Sequence, residues 1–178
     1  MCMANHKPRS KGPAEQHPEL ARYFANPWPG GVPPQEDAHP LHSYVANGAR
    51  LVNAAARRAL RQSEARLRIK VIELRSAGRT AEANCVQFLL RFLAGSRSAG
   101  PRSAALCRCV NEAGFALLYL LADEDLVPDD LPGVGYSDDA AVLAAVLARN
   151  ASVLRDFARH IGIDWETVQA SPASRPTG

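Results

Sequence analysis

Apolar side chains recur at gaps of three and four through most of residues 41–161 of this 178-residue chain, and strict alternation is nowhere sustained. That periodicity predicts helices and no sheet. The first pattern, Val45, Ala49, Val52, Ala56, Leu60, Ser63, Leu67, Val71 and Leu74, keeps one face from Leu41 to Gly78. It predicts one long helix, or two with a bend around Gln62 and Ser63, with Gly78 as the terminating residue. A second helix is predicted from Thr80, as its N-cap, to Ala94. Val86, Leu89, Leu90 and Leu93 make one face there, and Phe88 and Phe92 carry the apolar surface around the cylinder. Such a helix belongs at the centre of a bundle.

Residues 95–103 (G-S-R-S-A-G-P-R-S) break the pattern, and Pro101 suits the first turn of a third helix. The stripe of that helix is Leu106, Cys109 or Val110, Ala113, Leu117 and Leu120, with Gly114 marking a close helix crossing. A fourth helix is predicted over residues 138–161, with Val142, Leu143, Val146, Asn150, Val153, Leu154, Phe157 and Ile161 on one face. Asn150 interrupts that face and requires a hydrogen-bond partner. Gly162 ends the helix, and Asp164, Trp165 and Glu166 start a short final turn. The predicted class is all-α: a compact bundle of about four helices, with a constrained Pro/Gly/Asp loop before the last long helix.

Outside residues 41–165 the composition changes. Residues 1–40 hold eight of the 13 prolines and few aliphatic side chains, too little apolar surface to offset the entropy of ordering, so a mobile arm is expected. Trp28 lies among prolines in this arm, a context in which it either docks on a partner or packs back on its own domain. Residues 166–178 read as a flexible tail. The formal charge of +3 is too small to imply a partner by itself. Only three of the 21 basic residues are lysine: Lys7, Lys11 and Lys70.

The four cysteines do not form a zinc pattern, since Cys107 and Cys109 are one residue apart and no histidine pair complements them. Cys85 and Cys107 fall within helical patterns and are expected to be buried thiols. The first 13 residues lack the apolar run of a signal peptide. The apolar run at 113–122 is far shorter than the roughly 20 residues that cross a bilayer. A reducing, cytoplasmic address is expected, with peripheral membrane association as the variant.

Two features carry candidate chemistry. Arg50, Arg57, Arg61, Arg68 and Arg75 lie within about 40° of one another on a continuous helix. They form a basic ridge suited to nucleic acid or an anionic membrane surface, or a solvated flank whose arginine stems cover the core edge. No aromatics that would stack bases accompany them on this helix. The second feature is the stretch 125–139, D-L-V-P-D-D-L-P-G-V-G-Y-S-D-D. Pro128 and Pro132 stop helix, Gly133 and Gly135 permit positive φ, and Asp138 and Asp139 sit where a helix N-terminus attracts carboxylates. On that reading the loop is a rigid, self-capped corner. The alternative gathers Asp125, Asp129, Asp138 and Asp139 around Mg²⁺ or Ca²⁺, whose hard oxygen ligands these are, although the spacing does not match an EF-hand. No cofactor motif of the GxGxxG or P-loop kind is present, and no catalytic residue is assigned.

Residues 116–143 resemble the signature of the YkvA-like family, a bacterial domain of unknown function. The resemblance rests on Tyr119, Asp125, Pro128, Asp129, Pro132, Gly135, Asp138 and Asp139. It implies an all-helical domain organised by the loop, and it supplies no reaction. Asp123 and Glu124 stand where the family has Pro and an aliphatic residue, Asp130 where it has an aromatic, and Ser137 where it is apolar. These departures make the loop more acidic and weaken the membrane association the resemblance implies. The expectation is a small helical interaction or regulatory module with a protein partner, rather than an enzyme. A divalent-metal enzyme or sensor built on the loop is the alternative, as is nucleic-acid or anionic-membrane binding by the ridge.

Overall fold

Asn53 divides the first predicted helix. In the computed structural model, which describes residues 40–96, 103–121 and 137–169, α1 runs over Pro40–Arg50. The chain leaves helical geometry at 51–53, and α2 begins at Ala54 and runs to Gln62. The Asn53 side chain caps α2 by accepting from the Ala56 amide at 3.0 Å. Asparagine suits this position because its short carbonyl arm satisfies a helix-start donor that has no partner within the helix. The expected bend at Gln62 and Ser63 is also present: Ser63 is the joint between α2 and α3, Glu64–Ser76. Val45, Ala49, Val52, Leu60, Leu67, Val71 and Leu74 are buried in spite of both joints. The apolar period therefore persists while the hydrogen-bond ladder is interrupted.

Gly78 ends α3 with φ 75°. Arg79 N donates to Leu74 O at 2.8 Å and Gly78 N to Arg75 O at 3.0 Å, the paired bonds of a glycine-terminated helix. Only 77–79 separate α3 from α4, Thr80–Gly95. So tight a turn puts Arg79 at the cap position, and Thr80 is the first helical residue rather than the cap. Ser103 caps α5, Ala104–Tyr119, by accepting from the Leu106 amide; Pro101 lies outside the described residues.

The fourth predicted helix is also divided. α6 covers Ser137–Arg149 and α7 covers Ala151–His160, with Asn150 between them. Gly162, at φ 68°, repeats the Gly78 ending: Ile163 N donates to Ala158 O at 2.9 Å. The expected final turn is α8, Trp165–Gln169, with Asp164 Oδ1 accepting from the Glu166 amide. Among the described residues the protein is all-α, with eight helices in place of about four and no strand.

α4 and α5 share the centre. α4 packs on α3, α5, α6 and α8, and α5 packs on α1, α2, α4, α6 and α7. Phe88, Leu89, Phe92, Ala113, Leu117, Val142 and Val146 meet in the resulting core. The crossing expected at Gly114 is present, since a Cβ there would sit 3.2 Å from Val52 Cγ1. Gly48 is tighter still: a Cβ would run into the Phe115 ring. Cys85 and Cys109 are buried, whereas Cys107 is exposed, against expectation. Two residues before Cys109, Cys107 is turned roughly 200° away from the buried stripe. The expected arm before Pro40, the loop itself and the end of the tail lie outside the described residues.

Candidate functional site

Residues from the two sides of the acidic stretch meet in the core. Tyr119 closes α5 and Asp138 and Asp139 open α6, and all three side chains are buried. Tyr119 lies off the stripe predicted for α5 yet is buried, because helices pack on α5 from several sides. The two acids are in the first turn of α6, where the helix dipole favours negative charge. The Tyr119 hydroxyl donates to Asp138 Oδ2 at 3.0 Å. Asp139 Oδ2 faces Lys70 Nζ, from α3, at 3.7 Å, with the lysine side chain itself only 13% exposed. From α1, Tyr44 packs edge-on to Tyr119 and to Phe115, at centroid distances of 6.2 and 5.5 Å. Four helices thus converge on the two acids.

Burial pushes the Tyr119 phenol far above its ordinary 10.0, and the neighbouring Asp138 raises it further. Tyr44 shifts the same way, again chiefly through burial and then through Asp138. Both phenols therefore remain proton donors, and neither is a general base at neutral pH.

Of the expected motif residues, the structure brings together Tyr119, Asp138 and Asp139. Asp125, Pro128, Asp129, Pro132 and Gly135 lie outside the described residues. Among the described residues no three His, Cys, Asp or Glu side chains cluster as a metal site would require. Among the described residues a phenol and an ammonium group stand beside Asp138 and Asp139, and a divalent ion beside Lys70 would meet like charge. Lys70 was not singled out from the sequence. Its signal was available: it is the lone lysine after Lys11, flanking the Leu67, Val71 and Leu74 stripe.

A second buried polar group joins α5 to the α6–α7 joint. Glu112 of α5, 1% exposed, accepts from Arg149 Nε at 3.1 Å and Nη2 at 3.0 Å. It also accepts from Asn150 Nδ2 at 2.7 Å. Asn150 Nδ2 further donates to Val146 O at 3.0 Å, so the predicted need for a partner is met twice. The group fixes the α6–α7 joint to the central helix. Counting apolar positions passes over Glu112; its signal was an acid wedged between buried positions.

The arginine ridge is exposed but is not one helix. Arg50 ends α1, Arg57 and Arg61 lie on α2, and Arg68 and Arg75 on α3. Three of the five are engaged: Arg57 with Asn111 Oδ1 at 2.7 Å, Arg68 with Glu64 Oε1 at 2.8 Å and Arg75 with Gln87 Oε1 at 2.9 Å. Arg57 and Arg61 line a cleft of about 270 Å³ with Ser96 and Gly114.

Beside the ridge, α3 has a feature that apolar periodicity missed. Ile69 and Ile72 are 55% and 63% exposed. On helical spacing they share the outer face with Ala65 and Ser76, opposite the buried Leu67, Val71 and Leu74. Arg68 and Arg75 border this outer stripe on one side and Arg66 on the other. α3 is therefore apolar on two opposed faces, one of them turned to solvent.

No described helix is long and apolar enough to cross a membrane. Residues 112–145 match a family model described as Protein of unknown function (DUF1232). The match takes in Glu112, Tyr119, Asp138 and Asp139, and the YkvA-like resemblance agrees with it. No curated protein and no solved structure matches the chain.

Proposed function

We propose that this protein is a non-enzymatic interaction module, with the motif residues as its structural corner and the outer face of α3 as its contact surface. One observation carries this reading: Ile69 and Ile72 stand in solvent on a helix whose opposite face already fills the core. The exposed isoleucine pair is bordered by arginine, the charged side chain that is enriched in protein interfaces. The described acids support the structural half, because Asp138, Asp139 and Glu112 are buried against a phenol, an ammonium group and a guanidinium.

The test is retention of a protein partner by the full chain and by an Ile69→Asp/Ile72→Asp variant. Loss of a specific partner by the variant, with an unchanged melting temperature, supports the reading. An identical set of bound proteins contradicts it.

The ridge supports a second reading, contact with a polyanion. Arg61 shares its cleft with Arg57, and Arg50, Arg68 and Arg75 are also exposed. Binding of duplex DNA, RNA or anionic vesicles that falls steeply with salt, and is lost in Arg57→Ala/Arg61→Ala, is its signature.

A further inference from the structure

A cleft of about 510 Å³ opens where the end of α4 and the start of α5 meet α7. Its volume lies within the roughly 300–1,000 Å³ of small-molecule sites. Phe92, Leu106, Val153, Phe157 and Ile161 line it, and of these only Phe92 is fully buried. The apolar floor is held from behind. The Phe157 ring packs edge-on against Phe88 at 5.8 Å and Phe92 at 5.3 Å. Gly95 brings the α4 backbone flush with that ring, since a Cβ there would lie 3.0 Å from Phe157 Cε2. Any larger residue at 95 would crowd the ring and narrow the cleft.

Charge distinguishes this cleft from an ordinary surface groove. Arg91 and His160 stand exposed on its wall, and among the described residues no acidic side chain lines it. Among the described residues neither has an ion-pair partner, whereas the neighbouring Arg159 is paired with Asp156 at 3.0 Å. An apolar floor with an arginine and an imidazole donor on its rim complements a molecule with an apolar body and one negative head.

We infer that this cleft is a binding site for a free amphipathic carboxylate, with its alkyl chain against Leu106, Val153 and Phe157 and its head group at Arg91 and His160. Arginine offers the carboxylate a planar pair of donors, and the imidazole adds a third. A neutral analogue loses the charged contacts. A cationic one meets Arg91 as a like charge. The inference is independent of the α3 contact surface, which lies on a different helix.

Decanoate is the probe. The full chain is titrated while the methyl resonances of Leu106, Val153 and Ile161 are followed, with decanol and decylammonium as controls. Decanoate is expected to shift these methyls saturably at one equivalent, below its micelle concentration, and at least tenfold more tightly than either control. Arg91→Glu, a surface change, is expected to weaken decanoate at least tenfold. Val153→Glu tests the same point from α7, and should favour decylammonium over decanoate. Absence of saturation overturns the inference, as does equal binding of decanol, or decanoate binding unchanged in both variants. Methyl shifts that follow protein concentration and ignore decanoate also overturn it, since the occupant is then a second copy of the chain.

Discussion

Tyr119 and Asp138, 19 positions apart, are joined in the core by a 3.0 Å hydrogen bond from the phenol to the carboxyl. The bond ties the last residue of α5 to the first turn of α6 and closes the stretch that the motif spans. Tyr119→Phe keeps the ring and removes the donor. It should lower stability by about 1–3 kcal/mol, the cost of leaving a buried acceptor one donor short. Chemical denaturation of Tyr119→Phe, Asp138→Asn and the double variant measures the coupling; additive losses would mean the two groups do not act as a pair.

The Glu112–Arg149 pair should be more costly to break than to replace. Arg149→Met leaves a carboxylate that is 1% exposed without its bidentate partner, and a loss of about 3–5 kcal/mol is expected. Adding Glu112→Gln to that variant removes the orphaned charge and should recover more than half of the loss. Denaturation midpoints read both, and a double variant no more stable than Arg149→Met alone would contradict the account.

Alkaline pH should destabilise the fold in a defined window. Burial, aided by Glu112 and opposed by Arg108, pushes the Cys109 thiol from 9.0 up to about 12. Cys85 and Tyr119 shift in the same direction, chiefly through burial. A raised pKa means that the folded state keeps a proton the unfolded chain has released. The contribution of Cys109 is therefore whole below pH 9.0 and is lost as pH rises to about 12. Urea midpoints should fall across that range, and less steeply in Cys109→Ala; an unchanged slope would contradict the assignment. Reaction with a thiol reagent separates the cysteines independently: Cys107 should react in the folded state, and Cys85 and Cys109 only on unfolding.

Helix contacts set limits on two glycines. Gly48→Ala should destabilise by about 1–3 kcal/mol because the Phe115 ring must move. Gly114→Ala, whose Cβ meets the Val52 methyl at 3.2 Å and Leu60 Cδ2 at 3.9 Å, should cost less. Thermal melts of both variants check the order.

Helical class and buried faces were legible because apolar periodicity reports burial. Of the stripe from Val45 to Leu74, all but Ala56 and Ser63 are buried, even though the stripe is divided among three helices. Helix breaks were less legible for the same reason: the period runs on through Asn53 and Asn150, where a side-chain cap and a buried acid decide the geometry. Polar partners were the least legible. Tyr119, Asp138 and Asp139 were singled out through the motif, but Lys70 and Glu112 come from other helices, and only packing brings them to the acids and to Arg149. Ile69 and Ile72 were passed over because they lie off the stripe, and being off the stripe is what leaves them in solvent.

The outer face of α3 is where the account is most exposed to test. Affinity capture from the native host should be run side by side with the full chain, with Ile69→Asp/Ile72→Asp, and with a Ser76→Asp control on the same face. We expect a specific protein to be retained by the full chain and the control and lost by the double variant, at equal melting temperatures. Equal retention of every partner by the double variant would contradict the account.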